Sequence, residues 1–317
     1  QVKTLGSIMS GVAQEPVGQG RVKPIALVGV GNMGGGMAKR LLSLGWTVQV
    51  CDLDELKTND LEKFGAFRHD SPAACAINSE VVIVCVVDAS QTESVLFGPN
   101  GIATALPAGR SVMLCPTIAP EDVERFATRL AAHGLHCIDA PMSGGPQRAA
   151  EGTMSLMVAC PATVFAQHQD LLKALSNKVF HISDTPGDGA RTKLVNNLLA
   201  GINLVGAAEV LAMAERMGLN LTTTLDVISQ SSGQSWIGED RMRRAVVGDF
   251  APAAHMTLLQ KDTRMAVAAG EAAGFAGPLG ARAAQVFAAA SVAGHAHEDD
   301  SAVFKWLQRQ PYDPPKP

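Results

Sequence analysis

The chain has 317 residues, of which 47% are hydrophobic and 18% are charged, and its formal net charge is -4. This length is too great for one small core and suits two domains. A slightly acidic chain with only 4% aromatic residues lacks the basic face and the stacking surfaces that nucleic-acid binding requires. We therefore expect a compact two-domain protein that binds no nucleic acid.

Cysteine usage and hydropathy narrow the class further. The six cysteines form no Cys-x-x-Cys pair and several lie in apolar runs, which predicts buried thiols and a cytoplasmic location. The longest apolar stretch, residues 194–208, contains asparagines and falls short of the roughly 18 uninterrupted apolar residues that a membrane span needs. Residues 1–20 lack periodicity and a signal-peptide core, so we expect a flexible tail there.

Short apolar runs alternate with helical patterns from residue 21 to residue 186. The strand candidates are Ile25–Val30, Thr47–Cys51, Val81–Val87, Ser111–Leu114, Leu135–Asp139, Ser155–Ala159 and Lys178–Ile182. The helices predicted between them include Met33–Leu44, Pro120–Ala132 and Ala162–Leu175. This alternation predicts an α/β domain with a doubly wound parallel sheet of the Rossmann type.

Strand signals end after Pro186, and residues 187–317 are predicted to form an all-α domain. Its long Ala-, Leu- and Met-rich segments are Ala190–Met217, Thr222–Gln230, Met256–Ala273 and Leu279–Ala293. The first of these is apolar on nearly all sides, and a bundle of this size would hardly bury it completely. We therefore predict a subunit interface there, in a homodimer or a homotetramer.

A glycine-rich loop follows the first strand and opens a helix: Gly29-Val30-Gly31-Asn32-Met33-Gly34. In a dinucleotide site Gly29 permits the tight turn, Gly31 leaves room for the pyrophosphate, and Gly34 lets helix and strand pack closely. Asn32 and Met33 then form the helix start that faces the phosphates. The plainer alternative is a structural turn.

Asp52 follows the second strand, where a carboxylate accepts hydrogen bonds from the ribose hydroxyls. Because a carboxylate repels a 2′-phosphate, this residue favours NAD over NADP as the cofactor. The alternative is that Asp52 or Asp54 only caps the following turn.

Two motifs address the substrate. Residues 139–145 read Asp-Ala-Pro-Met-Ser-Gly-Gly, and residues 187–197 read Gly-Asp-Gly-Ala-Arg-Thr-Lys-Leu-Val-Asn-Asn. With the glycine loop and the pair Lys261-Asp262, they make the chain resemble the β-hydroxyacid dehydrogenase family over residues 22–307. The resemblance implies an NAD(P)-dependent enzyme that oxidises the CH–OH group of a short 3-hydroxy acid or reduces its semialdehyde. It points to tartronate semialdehyde (2-hydroxy-3-oxopropionate) first and to 3-hydroxyisobutyrate next.

Lys193 is the predicted general acid/base. Hydride transfer to a carbonyl builds negative charge on its oxygen, and a lysine whose pKa is lowered by burial can donate the proton. The resemblance gives Lys193 this role, and it lies one helical turn before Asn197, which would contact the substrate or the amine. The plainer alternatives are that Lys193 is a solvated surface charge and that Asn197 is a buried amide whose hydrogen bonds are all made within the protein.

The resemblance assigns the other site residues. Ser143, Gly144 and Gly145 would bind the substrate carboxylate through N–H groups and the hydroxyl. Lys261 would reach the cofactor ribose or the substrate, while Asp262 supports helix packing.

On the cofactor side, the family pattern places Val86, Val87 and Gln91 along the adenosine and the nicotinamide riboside, and Thr117 beside the nicotinamide. Val86 and Val87 replace the usual Leu-Pro and could equally be core residues.

Two departures concern the walls of the site. Pro116 replaces a serine of the family, so that hydroxyl is lost. The usual Pro-Gly-Phe before Lys261 is Pro-Ala-Ala, which removes an aromatic wall that His255 or Trp236 could fill.

Three alternatives, a metal site and two other functions, agree less well with the sequence. The segment His295-Ala-His297-Glu-Asp-Asp precedes the last helix, where capping by Asp300 or Ser301 is favoured over metal binding, so no metal is expected. An imine reductase on this scaffold usually replaces the lysine by Asp or Tyr. A non-catalytic cofactor-binding module lacks the lysine and carries basic extensions. Lys193 argues against both.

Overall fold

The computed structural model describes residues 24–311, so the tail predicted for residues 1–20 lies outside it. Within this range one sheet is formed by β1 Ile25–Val28, β2 Val48–Cys51, β3 Phe67–Arg68, β4 Val81–Val84, β5 Ser111–Leu114, β6 His136–Asp139, β7 Met142–Ser143, β8 Ser155–Ala159 and β9 Lys178–Ser183.

The strand order is β3-β2-β1-β4-β5-β6-β8-β7, with β9 also paired to β8. Strands β1 to β6 are all parallel, and apolar side chains pack on both faces of the sheet, which confirms the doubly wound Rossmann prediction. One edge differs from a fully parallel sheet, because β8 pairs antiparallel with β6 and β7.

The helices on the sheet are α1 Asn32–Ser43, α2 Glu55–Glu62, α3 Pro72–Ala76, α4 Ala89–Phe97, α5 Pro120–Ala132, α6 Gly145–Glu151, α7 Ala162–Gln167 and α8 Gln169–Leu175. The second half contains α9 Asp188–Arg216, α10 Leu221–Ser229, α11 Trp236–Ala245, α12 Met256–Ala272, α13 Pro278–Ala290 and α14 Val303–Gln308. A π-helical turn and a short 3-10 helix, Asp300–Ala302, lie between the last two. The all-α second half is thus confirmed.

Several predicted boundaries are wrong for identifiable reasons. The first strand ends at Val28, because Gly29 has a φ of +87° and turns the chain out of the sheet. Strand β4 ends at Val84, which leaves Val86 and Val87 in the loop beyond it. The helix predicted over residues 162–175 is divided at His168, whose φ is -107° and whose ring bonds Ser111.

Helix α9 is the centre of the second half and packs against each of α10 to α14. It is long and apolar enough to cross a membrane by length and composition alone, but here it lies against these helices and strands β6, β8 and β9. Gly201 allows α12 to approach it closely, because a Cβ at this position would stand 2.5 Å from the Thr263 methyl carbon. This contact brings the helix that carries Lys261 and Asp262 onto α9.

Candidate active site

The glycine loop between β1 and α1 has a distinct steric reason for each glycine. A Cβ on Gly29 would stand 2.5 Å from the Cys85 carbonyl oxygen, and one on Gly34 would stand 2.0 Å from the Gly29 carbonyl oxygen. A Cβ on Gly31 would meet no protein atom within 4 Å. A side chain at Gly29 or Gly34 would therefore clash with the protein backbone. Gly31 instead leaves an open space above the loop, which the pyrophosphate of a dinucleotide requires.

Asn32 is exposed at the first position of α1, and Met33 follows it, half-buried. Gly31 and Asn32 line a cleft whose opposite wall is formed by Pro146 and Gln147 of α6. The N-terminal N–H groups of α1 open toward this loop, which is where an anionic phosphate is stabilised.

Asp52 lies at the carboxyl end of β2 and holds the glycine loop. Its Oδ2 accepts a hydrogen bond from the Val30 N–H at 2.7 Å, and its Oδ1 accepts one from the Asp54 N–H at 2.9 Å. Asp54 caps α2 by accepting from the Leu56 N–H. The capping alternative is thus correct for Asp54, while Asp52 faces the cofactor loop. These residues fit a dinucleotide whose ribose lies beside Asp52.

Four of the predicted cofactor residues come together beyond β4 and β5. The Val87 N–H donates to Gln91 Oε1 at 3.1 Å, and Lys261 Nζ donates to the carbonyls of Val87 at 3.2 Å and Thr117 at 2.8 Å. Lys261 therefore ties α12 to the carboxyl ends of two strands. Val87 is 55% exposed, so the core alternative is wrong for it, whereas Val86 packs against the core.

The predicted carboxylate loop lies at the β7–α6 junction. Ser143 ends β7, Gly144 has a φ of +137°, and Gly145 begins α6. Helix α6 is not among the elements predicted from the sequence. All three residues are partly exposed, so their backbone can contact a ligand.

Asp139 anchors the start of α9, a role that sequence reasoning missed. Its buried Oδ2 accepts hydrogen bonds from the N–H groups of Gly187 at 2.8 Å and Ala190 at 3.0 Å. Burial raises the pKa of Asp139 to about 6, and these N–H groups oppose that rise. Gly189 is needed here because a Cβ would stand 2.9 Å from the carboxylate. An acid at the end of an apolar strand was the available signal.

Lys193 lies in the second turn of α9 and is only 7% exposed. Its amine forms no hydrogen bond with any of residues 24–311. Burial lowers the pKa of this amine from 10.5 to about 8, with Asp262 opposing the shift and Lys261 adding to it. The solvated-lysine alternative is therefore wrong, and the amine can exchange a proton near neutral pH.

Asn197 connects α9 to α12. Its Nδ2 donates to Asp262 Oδ2 at 2.7 Å, and its Oδ1 accepts from Asn196 Nδ2 at 3.1 Å. Asn196 is exposed, and this hydrogen bond orients the Asn197 amide. Within the protein, Asn197 is therefore a buried amide whose side-chain nitrogen and oxygen both form hydrogen bonds, as the plainer alternative predicts.

Asp262 is more than a packing residue. It is buried, its Oδ1 lies 3.5 Å from Lys261 Nζ, and its charge acts on Lys193. Burial raises the pKa of Asp262, while both lysines and Asn197 lower it. One carboxylate therefore balances two amines at this site. The sequence offered only its position beside Lys261 as a signal.

Trp236 and His255 are the candidates for the missing aromatic wall. Trp236 stacks with Arg148, and His255 Nδ1 contacts the His297 carbonyl. Across residues 24–311 there is no cluster of three His, Cys, Asp or Glu side chains suited to a metal.

The cap of the short 3-10 helix is Asp299, which accepts a hydrogen bond from the Ser301 N–H, so the prediction of Asp300 or Ser301 as the cap is wrong by one residue. All six cysteines are free.

Comparisons with known proteins agree with this architecture. Residues 24–183 match the family model of the NAD-binding domain of 6-phosphogluconate dehydrogenase. Residues 187–307 match the model described as NAD-binding of NADP-dependent 3-hydroxyisobutyrate dehydrogenase.

Curated relatives align over nearly the whole chain. L-threonate dehydrogenase from Cupriavidus necator is 40% identical over 89% of this chain and 95% of its own length. 3-Hydroxyisobutyrate dehydrogenase from Pseudomonas aeruginosa is 36% identical, over 86% of this chain and 94% of its own. The crystal structure of 3-hydroxyisobutyrate dehydrogenase from Salmonella typhimurium superposes with a TM-score of 0.84 at 35% identity, covering 90% of this chain and 99% of that one. The chain therefore belongs to the β-hydroxyacid dehydrogenase family and is an NAD(P)-dependent oxidoreductase that acts on a CH–OH group.

Proposed function

We propose that the protein interconverts a short hydroxy acid and its carbonyl form, with Lys193 as the general acid/base. The observation that carries this proposal is a buried amine with a lowered pKa and no hydrogen-bond partner in the described chain, beside Asp262. The nicotinamide, when bound, supplies or accepts the hydride. Lys193 gives its proton to the carbonyl oxygen during reduction and takes it back from the hydroxyl during oxidation.

Neighbouring residues position the substrate. Asn197 and Asp262 fix the face of α9 next to Lys193 by their 2.7 Å hydrogen bond. Ser143, Gly144 and Gly145 bind the carboxylate, so that the reacting carbon is held in place. Lys261 closes the nicotinamide side by joining α12 to Val87 and Thr117.

NAD is proposed as the preferred cofactor over NADP. Asp52 and Asp54 both follow β2, the Asp54 N–H donates to the Asp52 carboxylate at 2.9 Å, and Lys57 is paired with the Asp54 carboxylate at 3.4 Å. A 2′-phosphate placed here would meet the negative charge of Asp52, while the nearby cation, Lys57, is already paired with Asp54.

L-threonate is proposed as the first substrate to test, ahead of tartronate semialdehyde and 3-hydroxyisobutyrate, because the relative with 40% identity carries that name. The test is initial-rate NADH formation with L-threonate, glycerate and 3-hydroxyisobutyrate at equal concentrations. We expect kcat/KM for L-threonate to exceed the others by about tenfold or more, since a site built for hydroxyl groups rejects analogues that lack them. A preference for glycerate would favour tartronate semialdehyde instead.

The pH profile is expected to reverse with the direction of the reaction. Reduction needs the protonated amine, so its kcat falls as pH rises through about 8, the pKa of Lys193. Oxidation needs the neutral amine, so its kcat rises up to about the same pH and then levels. Stopped-flow rates of hydride transfer in both directions check this. Parallel profiles would contradict the assignment of Lys193.

A homo-oligomer is proposed through one face of α9. Its exposed apolar residues, Val195, Leu199, Val210, Met213 and Met217, lie within about 60° of each other around the helix. We expect Leu199→Glu to lower the mass measured by light scattering to that of a monomer, because a charge cannot be buried unpaired in an apolar interface. Ile77→Glu, at an exposed site on the sheet half, is the control. An unchanged mass for Leu199→Glu would contradict this interface.

We also propose that residues 21–186 and 187–317 form separate domains and that the protein is cytoplasmic. The change from sheet to helices between Ser183 and Asp188 supports the first statement. The six free cysteines support the second.

A further inference from the structure

Arg148 lies against the predicted carboxylate loop. It belongs to α6, five residues after Ser143, and a Cβ on Gly144 would stand 2.9 Å from Arg148 Cδ. The alkyl chain of Arg148 therefore covers the Gly144 backbone. Covalent geometry then puts the guanidinium carbon at most about 7 Å from Gly144 Cα. A short acid bound at Gly144 would have its remote end within reach of this group.

The guanidinium of Arg148 stacks on Trp236, with its carbon 4.7 Å from the ring centroid. Trp236 begins α11, whose start is fixed by Ser235 Oγ accepting from the Gly238 N–H. A Cβ on Gly238 would stand 3.0 Å from the Ala207 Cβ, so this end of α11 rests on α9. The Arg148–Trp236 pair thus joins the carboxylate loop to the helix that carries Lys193.

The charge of Arg148 is not balanced by a neighbouring carboxylate. Among residues 24–311 it forms no ion pair or side-chain hydrogen bond, whereas Arg241 and Arg244 are each paired with two aspartates. Stacking on an indole holds the guanidinium plane but leaves its N–H donors, which project along that plane, unused. A half-buried guanidinium with free donors beside a substrate loop is suited to oxygen acceptors.

We propose that Arg148, oriented by Trp236, is a specificity-determining residue that donates hydrogen bonds to hydroxyl oxygens at the end of the substrate remote from its carboxylate. This inference rests on the proposed function, because it assigns the selection of polyhydroxy acids over apolar ones to the same site. A second carboxylate at the remote end offers the same acceptor chemistry. An acid with an apolar remote end has no hydrogen-bond acceptor there for the guanidinium.

The test compares L-threonate with 2,3-dihydroxybutyrate of the same configuration, which lacks only the terminal hydroxyl. We expect the wild-type enzyme to prefer L-threonate by about tenfold in kcat/KM, and Arg148→Met to remove that preference, mainly through KM. Trp236→Ala should weaken the preference, while Trp236→Phe, which keeps an aromatic face, should retain it. A dicarboxylic hydroxy acid in the same assay distinguishes recognition of a hydroxyl from recognition of a second carboxylate. If the wild-type enzyme prefers this acid over L-threonate and Arg148→Met loses that preference, the assignment to hydroxyl groups is overturned.

The proposed substrate and the proposed role of Arg148 are contradicted by different results of this experiment. A wild-type enzyme that does not prefer L-threonate would contradict both the proposed substrate and the role of Arg148. A wild-type preference that survives in Arg148→Met would overturn only the role of Arg148. An equal loss on both acids, or a raised dissociation constant for NADH, would show that Arg148 holds the carboxylate loop in place instead of selecting the substrate.

Discussion

Replacement of Lys193 by alanine is expected to lower kcat at least about a hundredfold, because the proton that accompanies hydride transfer would lose its donor. The amine is buried, its pKa is about 8, and it forms no hydrogen bond with residues 24–311. Its removal therefore breaks no hydrogen bond within residues 24–311, and Asp262 keeps Lys261 and Asn197 as neighbours. Single-turnover rates with NADH and a carbonyl substrate measure the effect on the chemical step.

Two controls separate chemistry from structure. Lys193→Arg keeps a positive charge but cannot exchange its proton near neutral pH, so it should be nearly as inactive as the alanine variant. The melting temperature of Lys193→Ala should equal or exceed that of the wild type, because burying this amine is costly. A variant with unchanged kcat would remove Lys193 from the mechanism, and a variant with a collapsed melting transition would mean that its role is structural.

The cofactor half of the site could be predicted from sequence because its determinants are local. A strand, a glycine loop and a helix start follow each other within about ten residues. The positive φ of Gly29 and the close approach of Gly34 to the Gly29 carbonyl both arise inside that segment. Lys193 could be found because the resemblance assigns the acid/base to this position of the motif at residues 187–197, whereas a lysine on a helix is otherwise usually solvated. Its burial in the structure agrees with that reasoning.

The groups that support Lys193 could not be predicted with the same force. Asp262 meets Asn197 across 65 positions in the chain, and Asp139 meets Gly187 across 48. Such contacts depend on how α12 and β6 pack against α9, which no local pattern encodes. Arg148 and Trp236 are a further case, because their stacking joins α6 to α11.

The second large effect is expected at the glycine loop, where two alanine variants should fail differently. Gly31→Ala is expected to weaken NADH binding about thirtyfold, since displacing the pyrophosphate from one N–H group costs about 2 kcal/mol. Its melting temperature without cofactor should stay unchanged, because the new Cβ meets no protein atom within 4 Å. Calorimetric titration with NADH and thermal unfolding measure the two quantities.

Gly34→Ala is the matched contrast, because its Cβ would stand 2.0 Å from the Gly29 carbonyl oxygen and must push α1 away from β1. Overpacking of this kind costs about 1–3 kcal/mol or more, so its unfolding transition should shift to lower temperature even without NADH. Comparison of the two variants shows whether the open space at Gly31 serves cofactor binding or the fold. If Gly31→Ala binds NADH as tightly as the wild type, the pyrophosphate does not occupy that space. If instead it melts as early as Gly34→Ala, then Gly31 serves the fold and not the cofactor.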